Sequence, residues 1–278
     1  MNTRTISYGV GALALLVVVG ITGWIAGGDA DVADSALHDA VALPIPPLPP
    51  RFATSERYDR CLAEVSDDPT GAIVTATAWV RDVPDPAGQH CLALAQLGVG
   101  QPAAAAALLE RLAAKPELAT QVRAAMFDQA SQAWLLAQQP DAAYRAAQEA
   151  VALAPDNPDL WVGRAVAAQA RAQYRLAVDD FANAFALDPS RTDILVRRAA
   201  TLRLLDRLDA ARADIERALT ADPDNAEALL ERGILKQRSN DPAGARADWE
   251  RAILLAADSQ TADLATQDLA LLDAGPVR

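Results

Sequence analysis

The chain has 278 residues, 51% of them hydrophobic but only 5% aromatic, so any core it buries is built largely from small side chains such as alanine. Its formal net charge is −12 and no run of the sequence supplies a basic face, which excludes a generic nucleic-acid binder. The charges alternate in sign at helical spacing, as on a solvated exterior.

Residues 5–28, TISYGVGALALLVVVGITGWIAGG, carry no charge. A bilayer needs about 20 apolar residues, so this stretch is long enough to span one as a helix. Tyr8 and Trp24 stand near its ends, where amphipathic rings favour the interface. Arg4 precedes the span and DADVAD follows it, so the positive-inside rule predicts a cytoplasmic N-terminus and everything after Asp29 across the membrane. A cleaved signal peptide is the alternative, with Gly28 and Ala30 as the small residues of its cleavage site. Residues 29–52 read as a linker. Five prolines within 44–50 preclude a helix and favour stiff, extended polyproline II. His38 lies in this tether and reads as solvated.

From residue 53 onward the apolar residues recur at helical spacing, with no strand signal. One pattern is written four times: AYRAAQEAVALAPDN, AVDDFANAFALDPSR, ARADIERALTADPDN and ARADWERAILLAADS begin at 143, 177, 211 and 245, a constant step of 34. Each copy ends one half of a unit of two helices, broken at 137–141, 171–174, 205–209 and 238–242. Proline stops one helix, and Asp, Asn or Ser caps the next.

These residues resemble the tetratricopeptide repeat (TPR) family, whose period is 34. The resemblance is strong over four units, 124–157, 158–191, 192–225 and 226–259. The family's large residue near the start of each unit falls on Phe127, Trp161, Leu195 and Leu229, and its small partner on Ser131, Ala165, Ala199 and Gly233. The second helix carries Ala143, Ala177, Ala211 and Ala245, then Ala147, Phe181, Ile215 and Trp249, then Ala150, Ala184, Ala218 and Ala252. The closing proline is Pro155, Pro189 and Pro223, with Ala257 departing from the pattern in the last unit. Residues 53–123 resemble degenerate hairpins of the same kind, one of them near 86–119. Residues 260–278 read as a capping helix and tail, polar outside and leucine-lined inside. The fold expected is an all-α, right-handed solenoid of TPR hairpins behind a transmembrane helix and a proline-rich linker.

Arg164, Arg198 and Arg232 recur at one position of the unit, with Asp180, Asp214 and Asp248 sixteen residues later. The unit at 124–157 has Ala130 and Ala146 there. Joint presence and joint absence predict an ion pair bridging the two helices of each hairpin. Cys61 and Cys91 are the only cysteines. In the repeat register they fall on first helices of consecutive units, and an extracytoplasmic location would let them form a disulfide. Two buried free thiols are the alternative.

The motifs of catalysis are missing from the sequence. His90 precedes Cys91, but adjacent helical residues point about 100° apart, so neither is placed to deprotonate the other. There is no phosphate loop, GxSxG or HExxH, and there are too few Cys and His for a zinc site. We expect no enzyme activity, cofactor, metal or small-molecule substrate. The resemblance implies binding of proteins or peptides in a groove lined by first helices. Here that groove would include Val162, Val166, Gln169, Val196, Ala200, Leu230 and Ile234, with Arg197 and Arg203 orienting the ligand. The Lys and Asn pair of the family's carboxylate clamp is replaced by Val162 and Val166, then Val196 and Ala200, so an acidic C-terminal peptide is not the expected ligand. Self-capping by 259–273 is the alternative fate of this surface. The role expected is a scaffold or chaperone-like adaptor of the bacterial inner membrane, with periplasmic repeats. The alternative is a regulatory subunit of an envelope enzyme or of secretion or cytochrome-maturation machinery.

Overall fold

The computed structural model describes residues 55–83 and 85–275. The apolar span 5–28 and the linker 29–52 lie outside the described residues. Within them there are thirteen helices and no strand. They are α1 (Glu56–Asp67), α2 (Pro69–Asp82), α3 (Pro86–Gly98), α4 (Pro102–Ala113), α5 (Thr120–Leu136), α6 (Pro140–Leu153), α7 (Pro158–Ala170), α8 (Tyr174–Leu187), α9 (Thr192–Leu204), α10 (Leu208–Ala221), α11 (Ala226–Arg238), α12 (Pro242–Leu255) and α13 (Gln260–Ala274). None of these helices is long and apolar enough to cross a membrane. Each helix packs on the next in sequence, and α1 on α3, α5 on α7, α9 on α11 and α11 on α13 touch as consecutive first helices. This is a TPR-like solenoid.

Local chemistry sets the helix ends. Asn157, Asn225, Asp241 and Ser259 accept backbone N–H groups of the first turns of α7, α11, α12 and α13, and proline opens α6, α7 and α12. The turns inside the hairpins share one device. Gln138, Ala172, Asp206 and Asn240, 34 residues apart, all have positive φ, between 54° and 62°. The amide after each donates to a carbonyl five residues back at 2.9 Å (Gln139 to Trp134, Gln173 to Ala168, Arg207 to Leu202, Asp241 to Lys236). Gly100 plays this part between α3 and α4, its successor Gln101 donating to Gln96. Helix α5 is the longest of the set. It begins at Thr120, ahead of the expected unit start at 124, and Arg123 in this extra turn donates to the carbonyl of Ala113 at 2.8 Å.

The repeated alanines are where the helices meet. Ala143, Ala177, Ala211 and Ala245 are fully buried, as are Ala150, Ala184, Ala218 and Ala252. Across each hairpin, side-chain size is traded between the two helices. Ala165 pairs with Phe181, Ala199 with Ile215 and Gly233 with Trp249, and all three large partners are fully buried. A Cβ on Gly233 would lie 2.3 Å from Nε1 of Trp249, so the largest ring in the series requires the smallest residue opposite. The same trade holds Gly88 against Trp79, where a Cβ would approach the indole to 2.9 Å.

Helix α13 packs on α12 and α11 in the manner of a next first helix. Ala262 and Ala265 are buried, and Leu269 and Leu272 join the cluster around Trp249. It therefore extends the stack at its end, against the cluster on which Leu230 and Ile234 also pack, rather than folding back along the earlier hairpins.

The ion pairs are fork-shaped. Arg164 donates to both oxygens of Asp180 at 2.9 and 2.6 Å, Arg198 to Asp214 at 2.7 and 2.6 Å, and Arg232 to Asp248 at 2.8 and 2.7 Å. The aspartates are buried and the arginines keep an edge in solvent. Where the hairpin α5–α6 has Ala130 and Ala146, both are buried and no charge needs a partner.

This packing sets the cost of two kinds of substitution. Gly233→Ala should destabilise by about 1–3 kcal/mol, because Trp249 must leave its site and its N–H···O bond to Leu230. Combining it with Trp249→Ile, the pairing used one hairpin earlier, should cost less than the sum of the two single changes in urea unfolding; strict additivity would refute the trade. For the forks, Asp214→Ala strands the Arg198 guanidinium and should cost about 3 kcal/mol. Asp209→Ala, which removes a fully exposed partner of Arg212, should leave the urea midpoint nearly unchanged.

Candidate functional site

A cavity of about 750 Å³ opens on the face built from the first helices α5, α7 and α9. Helix α5 contributes Ala124, Ala125, Asp128 and Gln132, α7 contributes Asp159, Val162, Gly163 and Val166, and α9 contributes Asp193 and Arg197. The connection after α6 closes one side with Leu153, Ala154, Asp156 and Asn157, and Arg191 borders it before α9. Residues 259–273 take no part in its lining.

The predicted groove residues divide. Val162, Val166 and Arg197 line the cavity. Val166 and Val196 are core residues, 4% and 6% exposed, because consecutive hairpins close over these positions. The expected open apolar row is therefore corrected: an aspartate at Val196 would unfold the core rather than probe a groove. Gln169 donates to Oγ1 of Thr201 at 2.8 Å, tying α7 to α9. Arg203 does not stand ready to orient a ligand, since its Nε and Nη2 donate to Glu231 at 2.6 and 3.2 Å, with both side chains largely buried. Ala200 is half-buried, and Leu230 and Ile234 are half-buried against the cluster that α13 completes.

Sequence reasoning passed over Asp128, Gln132 and Asp159. The signal was available: Asp128 occupies in its unit the place held by Val162 and Val196 in the next two. Asp128 Oδ2 accepts from Nε2 of Gln132 one turn on, at 2.8 Å. Its other oxygen lies over Gly163, where a Cβ would come within 2.6 Å of it. Burial first, then the charge of Asp159, pushes the Asp128 carboxyl up to about 7 against the pull of the Gln132 hydrogen bond. On α9, burial works to raise Asp193, but the Arg191 fork at 2.8 Å and the charges of Arg191 and Arg197 hold it below the usual carboxylate range. Arg191 also reaches Asp159 at 2.8 Å. The Arg197 guanidinium forms no hydrogen bond or ion pair among the described residues, although its charge acts on Asp193. Ser131, 1% exposed, also lines the cavity, and its Oγ has no hydrogen-bond partner among the described residues.

The Cys–His neighbours are both committed to structure. Cys91 is joined to Cys61 by a disulfide with Cα atoms 6.3 Å apart, linking α1 to α3. His90 is fully buried, with Nδ1 2.6 Å from the Tyr58 hydroxyl and Nε2 2.8 Å from Oε1 of Gln129. The neutral ring satisfies both contacts if the tyrosine donates and Nε2–H donates to the amide oxygen. Among the described residues no group of three His, Cys, Asp or Glu is placed to hold a metal ion.

No family model matches the chain, and no curated protein matches it. Solved structures do. YrrB, described as a TPR protein with an unusual peptide-binding site, superposes with a TM-score of 0.51 at 19% identity, over 70% of this chain and 98% of its own. A thermophilic TPR protein of Thermus thermophilus gives 0.53 at 18% identity, over 67% and 100%. MamA from Desulfovibrio magneticus RS-1, from residue 41 onward, gives 0.52 at 14% identity, over 62% and 99%. At these identities the likeness is one of fold: a TPR-like helical solenoid.

The buried imidazole makes a pH prediction. Burial lowers the His90 pKa below its ordinary 6.5, opposed by the Gln129 hydrogen bond. The unfolded chain then binds more protons, so stability should fall as pH drops below about 6.5. Asp128 has the opposite sign, its folded pKa being raised, so stability gains as pH falls from 7. In an Asp128→Asn background the thermal midpoint should therefore drop between pH 7 and pH 5. Adding His90→Asn should flatten that slope; an unchanged slope would show that His90 is not its source.

Proposed function

We propose that the chain is a non-enzymatic scaffold that holds a segment of a partner protein across the first helices α5, α7 and α9. The observation that carries this is the cavity itself. It crosses three consecutive first helices and combines apolar walls with polar groups that the fold leaves uncommitted, whereas Asp180, Asp214 and Glu231 are each paired with an arginine. A volume of 750 Å³ falls in the range of ligand-binding clefts. The presence of a peptide-binding site in YrrB, which shares the fold, supports the reading. So does the commitment of His90 and Cys91 to structural contacts, which leaves neither as a nucleophile or base.

The scaffold sits, in this proposal, on the outer face of a bacterial inner membrane. Residues 5–28 would anchor it with a cytoplasmic N-terminus, and the linker 29–52 would lift the repeats into the periplasm. A disulfide between α1 and α3 suits an oxidising compartment.

The test uses photo-crosslinking residues placed in the full-length chain in its native membranes. A crosslinker at Ala125, on the cavity wall, should trap one recurrent partner, and one at the exposed Leu176 on α8 should not. The adduct should remain in the membrane pellet after an alkaline wash, and external protease should reach the repeats only once the outer barrier is opened. Equal trapping from both positions, or release of the chain by the wash, would defeat the groove or the anchor respectively.

A further inference from the structure

Every deeply buried carboxylate of the later hairpins has a guanidinium on it. Asp180, Asp214, Asp248 and Glu231 each accept from an arginine, with a closest contact of 2.6 or 2.7 Å. Asp128, half-buried one hairpin earlier, has none. It is held in the wall of the cavity by α5, receives only the neutral amide of Gln132, and keeps Oδ1 without a hydrogen bond over a glycine. Gly163 is what makes room for that oxygen, since any larger residue would displace it. Gln132 donates to Asp128 and keeps its own carbonyl oxygen, and Asp159 on the facing helix, itself paired with Arg191, adds a second carboxylate. An independent mark lies in the same cavity: the buried Ser131 hydroxyl, unpartnered among the described residues.

We propose that the Asp128 end of the cavity is a subsite for the ammonium group of a lysine side chain, carried by an extended segment of the partner protein. It rests on the groove reading above and adds the ligand's chemistry. A compact cation with three N–H donors meets the Asp128 and Gln132 oxygens, and it neutralises a carboxylate that burial and Asp159 otherwise disfavour. The stem of the lysine lies along Val162 and Ala125, which border the same space. Arg197, with no ion pair of its own among the described residues, then faces the carbonyl groups of the segment. Such carbonyls distinguish a peptide from a free polyamine. Asp156, Arg191 and Asp193 complete the charged surroundings; the Arg191–Asp193 fork is already satisfied internally.

The test takes the full-length chain in detergent and three acetylated, amidated pentapeptides, identical except for a central lysine, norleucine or glutamate, with spermidine as a fourth probe. By calorimetry at pH 8 the lysine peptide should bind at least about tenfold more tightly than the norleucine peptide, and the glutamate peptide least. Asp128→Asn should bring lysine down to the norleucine level while leaving the circular dichroism spectrum unchanged. In the wild-type protein, with no substitution, the lysine peptide should lower the midpoint of the Asp128 carboxyl carbon-13 titration and the norleucine peptide should not. Equal binding of lysine and norleucine, with the titration unmoved, would overturn the subsite and leave the groove standing. Spermidine binding as tightly as the lysine peptide would overturn the peptide as the occupant. Failure of all the peptides, together with loss of the cavity-wall crosslink, would remove both the subsite and the groove.

Discussion

The packing of helices through small buried side chains is the constraint on which the rest of the solenoid depends. At Ala143, Ala177, Ala211 and Ala245, and again seven residues later, the side chain is a single buried methyl group. Helices that meet through methyl groups leave little room to adjust, so the residues around each contact are fixed by complementarity rather than by hydrophobicity alone. Phe181, Ile215 and Trp249 fill one site in three hairpins, and the facing residue shrinks to match, from alanine to glycine opposite the indole. The hairpin α5–α6 solves the problem differently. It has Ala147 where the others place a large residue, and Trp134 on α5 packs there against Ala143 and Ala147, its N–H reaching Glu110 of the preceding hairpin. The exchange of a local filler for one that also bonds backwards joins the regular repeats to the less regular hairpins before them.

That close contact also governs the charges. An aspartate on the second helix sits deep in the hairpin, where an unpaired carboxylate would be costly, and the forked arginine from the first helix compensates it. Arg164 gains a further contact over the face of Trp161, at 4.6 Å from the ring centroid. Between hairpins the bridges are single-point and end on exposed aspartates: Arg171 to Asp141, Arg191 to Asp159, Arg238 to Asp206, and Arg251 to Asp224. Contacts of that kind contribute little individually and orient one repeat on the next. Arg203 with Glu231 is the exception, since it joins α9 to α11 with both groups largely out of solvent.

The parts of this architecture that depend on residues within one unit were legible in the sequence. The step of 34, the small residues and the Arg–Asp recurrence each repeat at fixed spacing, and a spacing is visible in one dimension. What involves three helices at once was not. Val196 reads as a groove residue from its place on α9, yet it joins the cluster shared by α10, α11 and α12 and is buried. Arg203 reads as a free cation because its partner lies 28 residues away on the next first helix. Asp128 was half legible: its place in the unit, where the next two carry Val162 and Val196, is a matter of spacing, but its lack of a cation is not, because a missing partner has no spacing to find. The positive-φ turn residues fell between these cases. Their 34-residue recurrence was in the sequence, but Gln, Ala, Asp and Asn share no side-chain chemistry, so only the backbone shows that they do the same thing.

The N-terminal hairpins show what replaces repeat packing when it weakens. Cys61 and Cys91 bind α1 to α3 covalently, and in the chain-entropy view a loop of this length contributes roughly 3–4 kcal/mol by restricting the unfolded chain. Beside the disulfide, Tyr58, His90 and Gln129 form a buried relay from α1 through α3 to α5. Gln129 is also a lining residue of the cavity, immediately next to Asp128 in sequence. The staple therefore does more than compensate for weak repeat packing. It fixes the rotation of α5 about its own axis, because Gln129 must face inward to reach His90. On a helix, the neighbour at 128 then points about 100° away. The direction in which Asp128 looks is thus set partly from α1 and α3, two helices that contribute no lining residue to the cavity themselves.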